Sequence, residues 1–552
     1  IAIGHAALGG TWADTASNYN IAIGHYAMDA GVDGALRNIA IGYEALTDLT
    51  TGDNSIAIGY GAADDVTTGT ENIAIGTYAL SAMTTGESNL AIGNSAMGSN
   101  TKTAAGYNTV VGHYANQEGP SSGADNTYLG YGVGRYYPTG STNVAIGKNA
   151  MEGISGQAGA SVGSNIVIGS RSLYRTTFSF YNVVIGDAAL MAHKRGNYIT
   201  AVGAGVMQNT VSASNAVAIG GYAGQYVGHS KEASYTTIVG DLAGQYTTGS
   251  NNTFMGYSAG KGGTTSAPYS SGTKNVAVGT YAFDGFTTAE DTTAIGYNAG
   301  GSITSGVKNV LVGAYSGDAL TSGARNITLG SNTLGAATTA NMNIAIGQGA
   351  MESAAASVAF EGAIAIGKDT LTALNSTDAN GTIAIGHQAG KSITSGQYNT
   401  MVGYLAGNVI TTGDKNTLFG YQAGGGANGI DTLSDNTFMG YQAGLKIDSG
   451  ARNTAIGSQA MESSAADSDA NDSVAIGNRA LYSLSDGDNN IAIGSYAGDA
   501  ITTGANNIAI GYGADVSSAT TSNETVIGNS SQQKVTFTNA TGSFGGGVIA
   551  GA

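Results

Sequence analysis

The chain has 552 residues, including 89 glycines, 3 prolines and no cysteine; charged residues are only 10% of it and leave a formal net charge of −17. That balance excludes the clustered Lys and Arg of nucleic-acid binding and docking on bare anionic lipid. The missing cysteine excludes disulfides, thiol chemistry and Cys-ligated zinc. Abundant glycine without collagen's period, beside 42% hydrophobic residues, predicts a core-bearing fold dense in tight turns rather than disorder. No apolar run approaches the roughly eighteen residues that a membrane-spanning helix needs.

Taken in chain order, the elements are copies of one unit. Ile1 to Gly4 already belong to a copy, so the chain reads as a fragment or processed form of a longer protein. Each copy ends an apolar triplet in a glycine, here the zero position: Gly4, Gly24, Gly42, Gly59, Gly76, Gly93 and onward through Gly313, Gly347 and Gly511 to Gly528. Gly42, Gly59, Gly76 and Gly93 follow one another at intervals of 17, and most other intervals lie between 17 and 23. The longest, before Gly169 and Gly279, hold Gly-, Ser- and Ala-rich inserts such as Gly153–Gly163. About thirty such units, with no composition break, predict one repeat array over residues 1–528.

Columns within the unit have their own chemistry. Positions −3 and −1 are β-branched or large aliphatic, as at Ile73 and Ile75, Ile344 and Ile346, Ile508 and Ile510. Position −2 is mostly alanine (Ala74, Ala345, Ala492, Ala509) and sometimes Tyr128, Phe254, Leu418 or Phe438. Asparagine dominates −4, and −7 is often a glycine after Thr-Thr, as at Gly413 and Gly504. The triplet favours a strand, because β-branched side chains fit a pleated surface. A strand apolar on both faces is buried on both faces. The turn glycines Gly76, Gly347, Gly413, Gly504 and Gly511 mark two reversals per unit. The prediction is an all-β parallel β-solenoid whose rungs stack at about 4.8 Å, with a side-chain amide ladder along the −4 asparagines.

Period two places −3 and −1 on one face and −2 on the other. We assign Ile73, Ile75, Ile344, Ile346, Ile508 and Ile510 to the rung core. The alanine column (Ala74, Ala345, Ala492, Ala509) then points outward as an oligomer face, because an apolar stripe that long is an aggregation hazard in water. Cyclic closure of that face predicts a parallel homotrimer, and a single-chain solenoid with a semi-exposed alanine face is the alternative.

The Asn-x-Ala-Ile-Gly rung, carried by Asn72–Gly76, Asn143–Gly147, Asn343–Gly347 and Asn507–Gly511, resembles the head repeats of trimeric autotransporter adhesins. The longer form at Thr247–Gly260 and Thr411–Gly424 resembles repeats of bacteriophage tail-fibre proteins. The resemblance covers Ile1 to about Gly528 and implies a left-handed β-roll, a trimer, and a place outside the cell or on a virion. Adhesin head repeats run shorter, and no coiled-coil stalk or membrane anchor is present. The tail, residues 529–552, breaks the period with a strand-like Lys534–Thr538 and a glycine-rich Gly542–Gly547, and reads as a transition into another fibre module.

Signals for chemistry are weak. His5, His25, His113 and His387 share the +1 column with Tyr, Asn, Lys and Ser, and stacked His5 and His25 are a remote candidate for a metal. No His-Glu-x-x-His, P-loop, Ca²⁺-loop or Gly-x-Ser-x-Gly pattern occurs in a usable context. Asp64-Asp65 and Glu290-Asp291 read as solvated turns. We expect no enzyme and no cofactor. Among 30 tyrosines, Tyr257, Tyr404, Tyr421 and Tyr441 follow the zero glycine, where rings either pack on neighbouring rungs or contact sugars and proteins. The inserts Gln117–Asp125 and Gly262–Thr273 are candidate recognition loops. The expected role is an adhesive or structural fibre segment whose partners are itself and a cell-surface glycan or protein. A structural filament without ligand is the alternative, and a glycan-degrading β-helix enzyme the weakest.

Overall fold

The computed structural model describes residues 1–10, 16–98, 105–118, 123–137, 139–155, 160–230, 232–355, 359–376, 380–425, 432–463 and 468–531. They form an all-β parallel solenoid of about 29 turns at a spacing near 17 residues, with no helix among them. The chain divides into two compact units, Ile1–Ala324 and Arg325–Ala552, so the division falls inside the repeat series. The expected tail elements Lys534–Thr538 and Gly542–Gly547 lie outside the described residues. No helix among the described residues is long and apolar enough to cross a membrane.

Triplet strands carry both units. In the first they run from Ala2–Ile3 to Val310–Val312, and in the second from Ile327–Leu329 to Thr525–Ile527. Pairing is parallel and without slip: Ile56 faces Ile73, Ala57 faces Ala74 and Ile58 faces Ile75. At each rung the −3 amide donates forward and the zero glycine amide donates back. Ile73 N–H bonds to Asn89 C=O at 2.8 Å and Gly76 N–H to Ile58 C=O at 2.8 Å. Glycine is required at zero for two reasons. Gly76 has φ +134°, and a Cβ there would stand 2.5 Å from the carbonyl oxygen of Gly93. At Gly413 the φ is ordinary, but a Cβ would collide with the Leu433 carbonyl.

The structure reverses the assigned faces. Ala74, Ala345, Ala492 and Ala509 are fully buried inside the coil. Ile73, Ile75, Ile344, Ile346 and Ile508 are half-buried on its outside, and Ile510 is exposed. The buried −4 asparagine explains the parity, since period two puts −4 and −2 on one inward face. Room is the other reason. The opposite wall of the Gly76 rung sends in Ala79, Leu80 and Met83, all fully buried, which leaves space for only a methyl group at −2.

Interior volume is shared between −2 and +4. Where −2 is alanine, +4 is commonly Leu or Met, as in Ala40 with Leu46 and Ala345 with Met351. Where −2 is Leu, Ile, Met, Phe or Tyr, +4 is glycine, while the smaller Val167 and Val184 coexist with Leu173 and Leu190. A Cβ on Gly134 would lie 2.9 Å from the Tyr128 ring, and Cβ atoms on Gly260 and Gly444 would run into Phe254 and Phe438.

The asparagine ladder is present. Asn72, Asn89, Asn108, Asn126, Asn143, Asn165 and Asn182 form a chain in which each Nδ2 donates to the preceding Oδ1 at 3.0–3.1 Å. Asn72 Nδ2 also donates to Gly86 C=O at 2.7 Å, satisfying a carbonyl of the next rung. In the second unit Asn343 donates to Asn326, and Asn416 to Asn399. Buried amides are thereby paired without water.

Reversals use left-handed residues other than glycine at −5, +2 and +4; in the Gly76 rung these are Glu71 (φ 59°), Tyr78 (52°) and Leu80 (59°). Each such residue costs about 1–2 kcal/mol in a free chain. Here each amide donates to a neighbouring rung: Glu71 to Asp53, Tyr78 to Tyr60 and Leu80 to Ala96, at 2.8–2.9 Å.

Shared interior volume gives a test by exchange. Phe254→Ala alone should cost about 3–5 kcal/mol, and Gly260→Leu alone should fail to pack. The double variant should recover most of the loss, because Leu46 already holds the same position at φ 53°. Chemical denaturation followed by circular dichroism reads all three.

Candidate functional site

Side chains with chemistry sit on the turns or, in a few rungs, inside the coil. The +1 column forms aromatic stacks because rungs repeat in register. Tyr404, Tyr421 and Tyr441 stack at 5.2 Å with interplanar angles of 6° and 11°, and His387 joins them at 5.1 Å. Tyr257 meets Tyr281 edge-on at 5.4 Å. Stacked rings cover one another's faces, so Tyr421 offers its edge and hydroxyl to solvent rather than a platform for a sugar. These tyrosines therefore pack on rung neighbours.

His5 and His25 lie face to face at 4.7 Å, and the stack continues to Tyr43 at 5.5 Å and Tyr60 at 5.0 Å. Among the described residues no group of three His, Cys, Asp or Glu converges as a metal site would. The loop Gly262–Thr273 is folded back on the coil. Tyr269 packs 4.2 Å from Tyr226, and Ser270 donates to Phe286 C=O at 2.7 Å. Of Gln117–Asp125, residues 119–122 lie outside the described residues. Of the expected turn glycines, Gly76, Gly347 and Gly511 sit at bends with positive φ, whereas Gly413 and Gly504 follow a bend in ordinary backbone, where a Cβ would strike the carbonyls of Leu433 and Thr521.

Asp64 and Asp65 edge a hollow of about 160 Å³ with Glu44, Thr47 and Asp48. Burial, then the charges of Asp65 and Asp48, push the Asp64 carboxyl up to about 6, and Asp65 is raised for similar reasons. Glu290 and Asp291 are exposed.

One buried group escapes the sequence reading. His193 occupies +7, the column that Leu49, Val66, Ile303 and Ile410 fill elsewhere, and it is fully buried. Neither ring nitrogen makes a well-formed hydrogen bond, and burial lowers its pKa to about 4 against a smaller raising contact with the Gly196 backbone. Threonines at +7 flank it: Thr176 donates to Lys194 C=O, and the buried Thr210 hydroxyl has no partner. The +7 column, read as a hydrophobic position, would have flagged this polar break.

A second wall becomes a true sheet in the first unit. Strands Thr139–Ser141, Ser161–Gly163, Phe178–Phe180 and Arg195–Asn197 pair in parallel, and Ala213–Ser214 pairs with Ala233–Ser234. Period two turns −7 inward, where Val162 and Ser179 are buried, and −8 and −6 outward. Outward residues here change abruptly along the rungs, from Ser161 and Gly163 to Phe178 and Phe180, then to Arg195 and Asn197. Hollows of about 350 and 490 Å³ open on the two sides of the phenylalanine step.

No protein-family model matches the chain, and no curated protein sequence matches it.

Two titrations follow. Neutral His193 is favoured in the fold, so its contribution is complete above its ordinary value near 6.5 and is lost as pH falls toward about 4. That window should destabilise the first unit by about 3 kcal/mol, and His193→Leu should flatten the pH dependence of the denaturation midpoint. Asp64 has the opposite sign: its raised pKa stabilises the protonated form below the ordinary carboxylate range and is a liability above about 6. Asp64→Asn should raise stability at pH 8 by under about 1 kcal/mol after solvent screening, and the gain should vanish at pH 4.

Proposed function

We propose that this chain is a structural segment of an extracellular or virion-surface fibre, non-enzymatic, that associates with copies of itself and serves attachment. One observation carries the reading. Every rung turns its −3 and −1 residues outward; −3 is only Ile, Val, Leu or Thr, and −1 only Ile, Val, Leu, Met or Phe. Many are well exposed, including Leu129 at 47% and Phe419 at 56%. Soluble monomers rarely leave contiguous apolar surface beyond a few hundred Å², and a stripe repeated on successive rungs within one unit exceeds that quickly.

A second copy in parallel register is the occupant that matches this stripe, because only a partner with the same rung spacing meets it rung for rung. Cyclic closure hides the stripe and avoids open-ended growth, and a homotrimer is the arrangement we favour. The partner face is thus the isoleucine columns, not the alanines. Net charge of −17 and the low charge density keep the remaining surface soluble without obstructing the stripe.

Light scattering on the purified chain tests this, with a mass of three chains expected; a single-chain mass at micromolar concentration would sink the proposal. Lysine at Ile73, Ile75, Ile344, Ile346, Ile508 and Ile510 together should yield monomers with an unchanged circular dichroism spectrum. Ala345→Lys should instead unfold its rungs, since it buries an unpaired charge inside the coil.

A further inference from the structure

We propose that the two hollows flanking the Phe178–Phe180 step form a subsite for a hydroxyl-rich, neutral oligosaccharide. The proposal rests on the attachment half of the function above and supplies its ligand class and place. Tyr421 is covered on both faces by Tyr404 and Tyr441, whereas here a stack ends beside a hollow. Tyr181 and Tyr198 stack at 5.2 Å and 4°, but the preceding residues of their column are Thr142 and Ser164. The face of Tyr181 turned from Tyr198 therefore looks onto the smaller hollow, whose lining includes Thr142, Ser164 and Tyr181. Phe180 leans over Gly163, where a Cβ would stand 3.2 Å from its ring, so the missing side chain leaves the space open.

Both hollows combine aromatic surface with fixed polar groups. In the smaller, Ser141, Ser161 and Ser164 line the floor beside Phe180. In the larger, the Arg195 guanidinium lies 5.7 Å over the Phe178 ring, with Asn197, Ser212, Ser214 and Glu232 around it. Sugars present apolar C–H faces that pack on such rings and hydroxyls that bond planar amide, guanidinium and carboxylate groups. The volumes fall within the usual range for small-ligand sites. An extended peptide is a poorer fit, because strand addition needs a free backbone edge and these strands are paired to their neighbours along the rungs. One cation and one carboxylate in the larger hollow give no net preference for a charged sugar. The subsite lies around the −5 corner from the isoleucine stripe, so association through that stripe leaves it open.

Saturation-transfer NMR with the full chain and neutral tetrasaccharides of glucose, galactose, mannose and N-acetylglucosamine tests this. At least one should bind, and Phe180→Ser with Tyr181→Ser should weaken it at least tenfold, with an unchanged circular dichroism spectrum. Tyr421→Ser, in a covered stack, should bind like the unaltered chain. Absence of binding to the whole panel, or equal binding by the double variant, overturns the subsite. Light scattering on the same samples separates the two ideas: an associated chain that binds no sugar overturns the subsite alone, and a sugar-binding monomer overturns the association alone.

Discussion

At Gly76 the backbone of one rung runs so close to the next that a single methyl group would touch the carbonyl of Gly93, and this approach repeats at the zero glycine of rung after rung. It exists because amides of each rung donate to carbonyls on both neighbours, which holds successive backbones at the spacing of paired strands. Given that spacing, every column of the sequence becomes a row in space. Like residues then touch like residues, and each row has to be tolerable as a stack. Asparagines form an amide ladder, tyrosines form ring stacks, and alanines leave room for the opposite wall.

Stacking also explains how the coil tolerates left-handed residues at three positions per rung. A free chain resists them, but the amides of Glu71, Tyr78 and Leu80 are each bonded to a neighbouring rung. Strain at the corners is thus offset by hydrogen bonds between rungs, and a lone rung would not hold its shape. Where the interior departs from aliphatic packing, as at His193 between Thr176 and Thr210, the row is broken and unpaired polar atoms lie in the core.

Exterior rows decide what the molecule offers to partners. Uniform rows, such as the isoleucine columns, present a continuous surface suited to another copy with the same spacing. A row that changes character along its length does something different. At the step from Gly163 to Phe180 the uniform wall breaks, and there an aromatic face opens onto a hollow lined by serines and a threonine.

Much was legible in the sequence alone. The recurrence of Gly42, Gly59 and Gly76, the β-branched triplets and the −4 asparagines determine a parallel solenoid with an amide ladder, because each is a local preference repeated until no other stacking satisfies it. The pairing of Phe254 with Gly260 and of Ala40 with Leu46 was also there to be read as shared volume. Which face turned inward was decided only by the tertiary structure. Alternation shows that −3 and −1 oppose −2, but both faces are apolar, so composition favours neither. The decision came from across the coil, where Ala79, Leu80 and Met83 fill the interior and leave space only for alanine, and from Asn72, whose buried amide turns its own face inward.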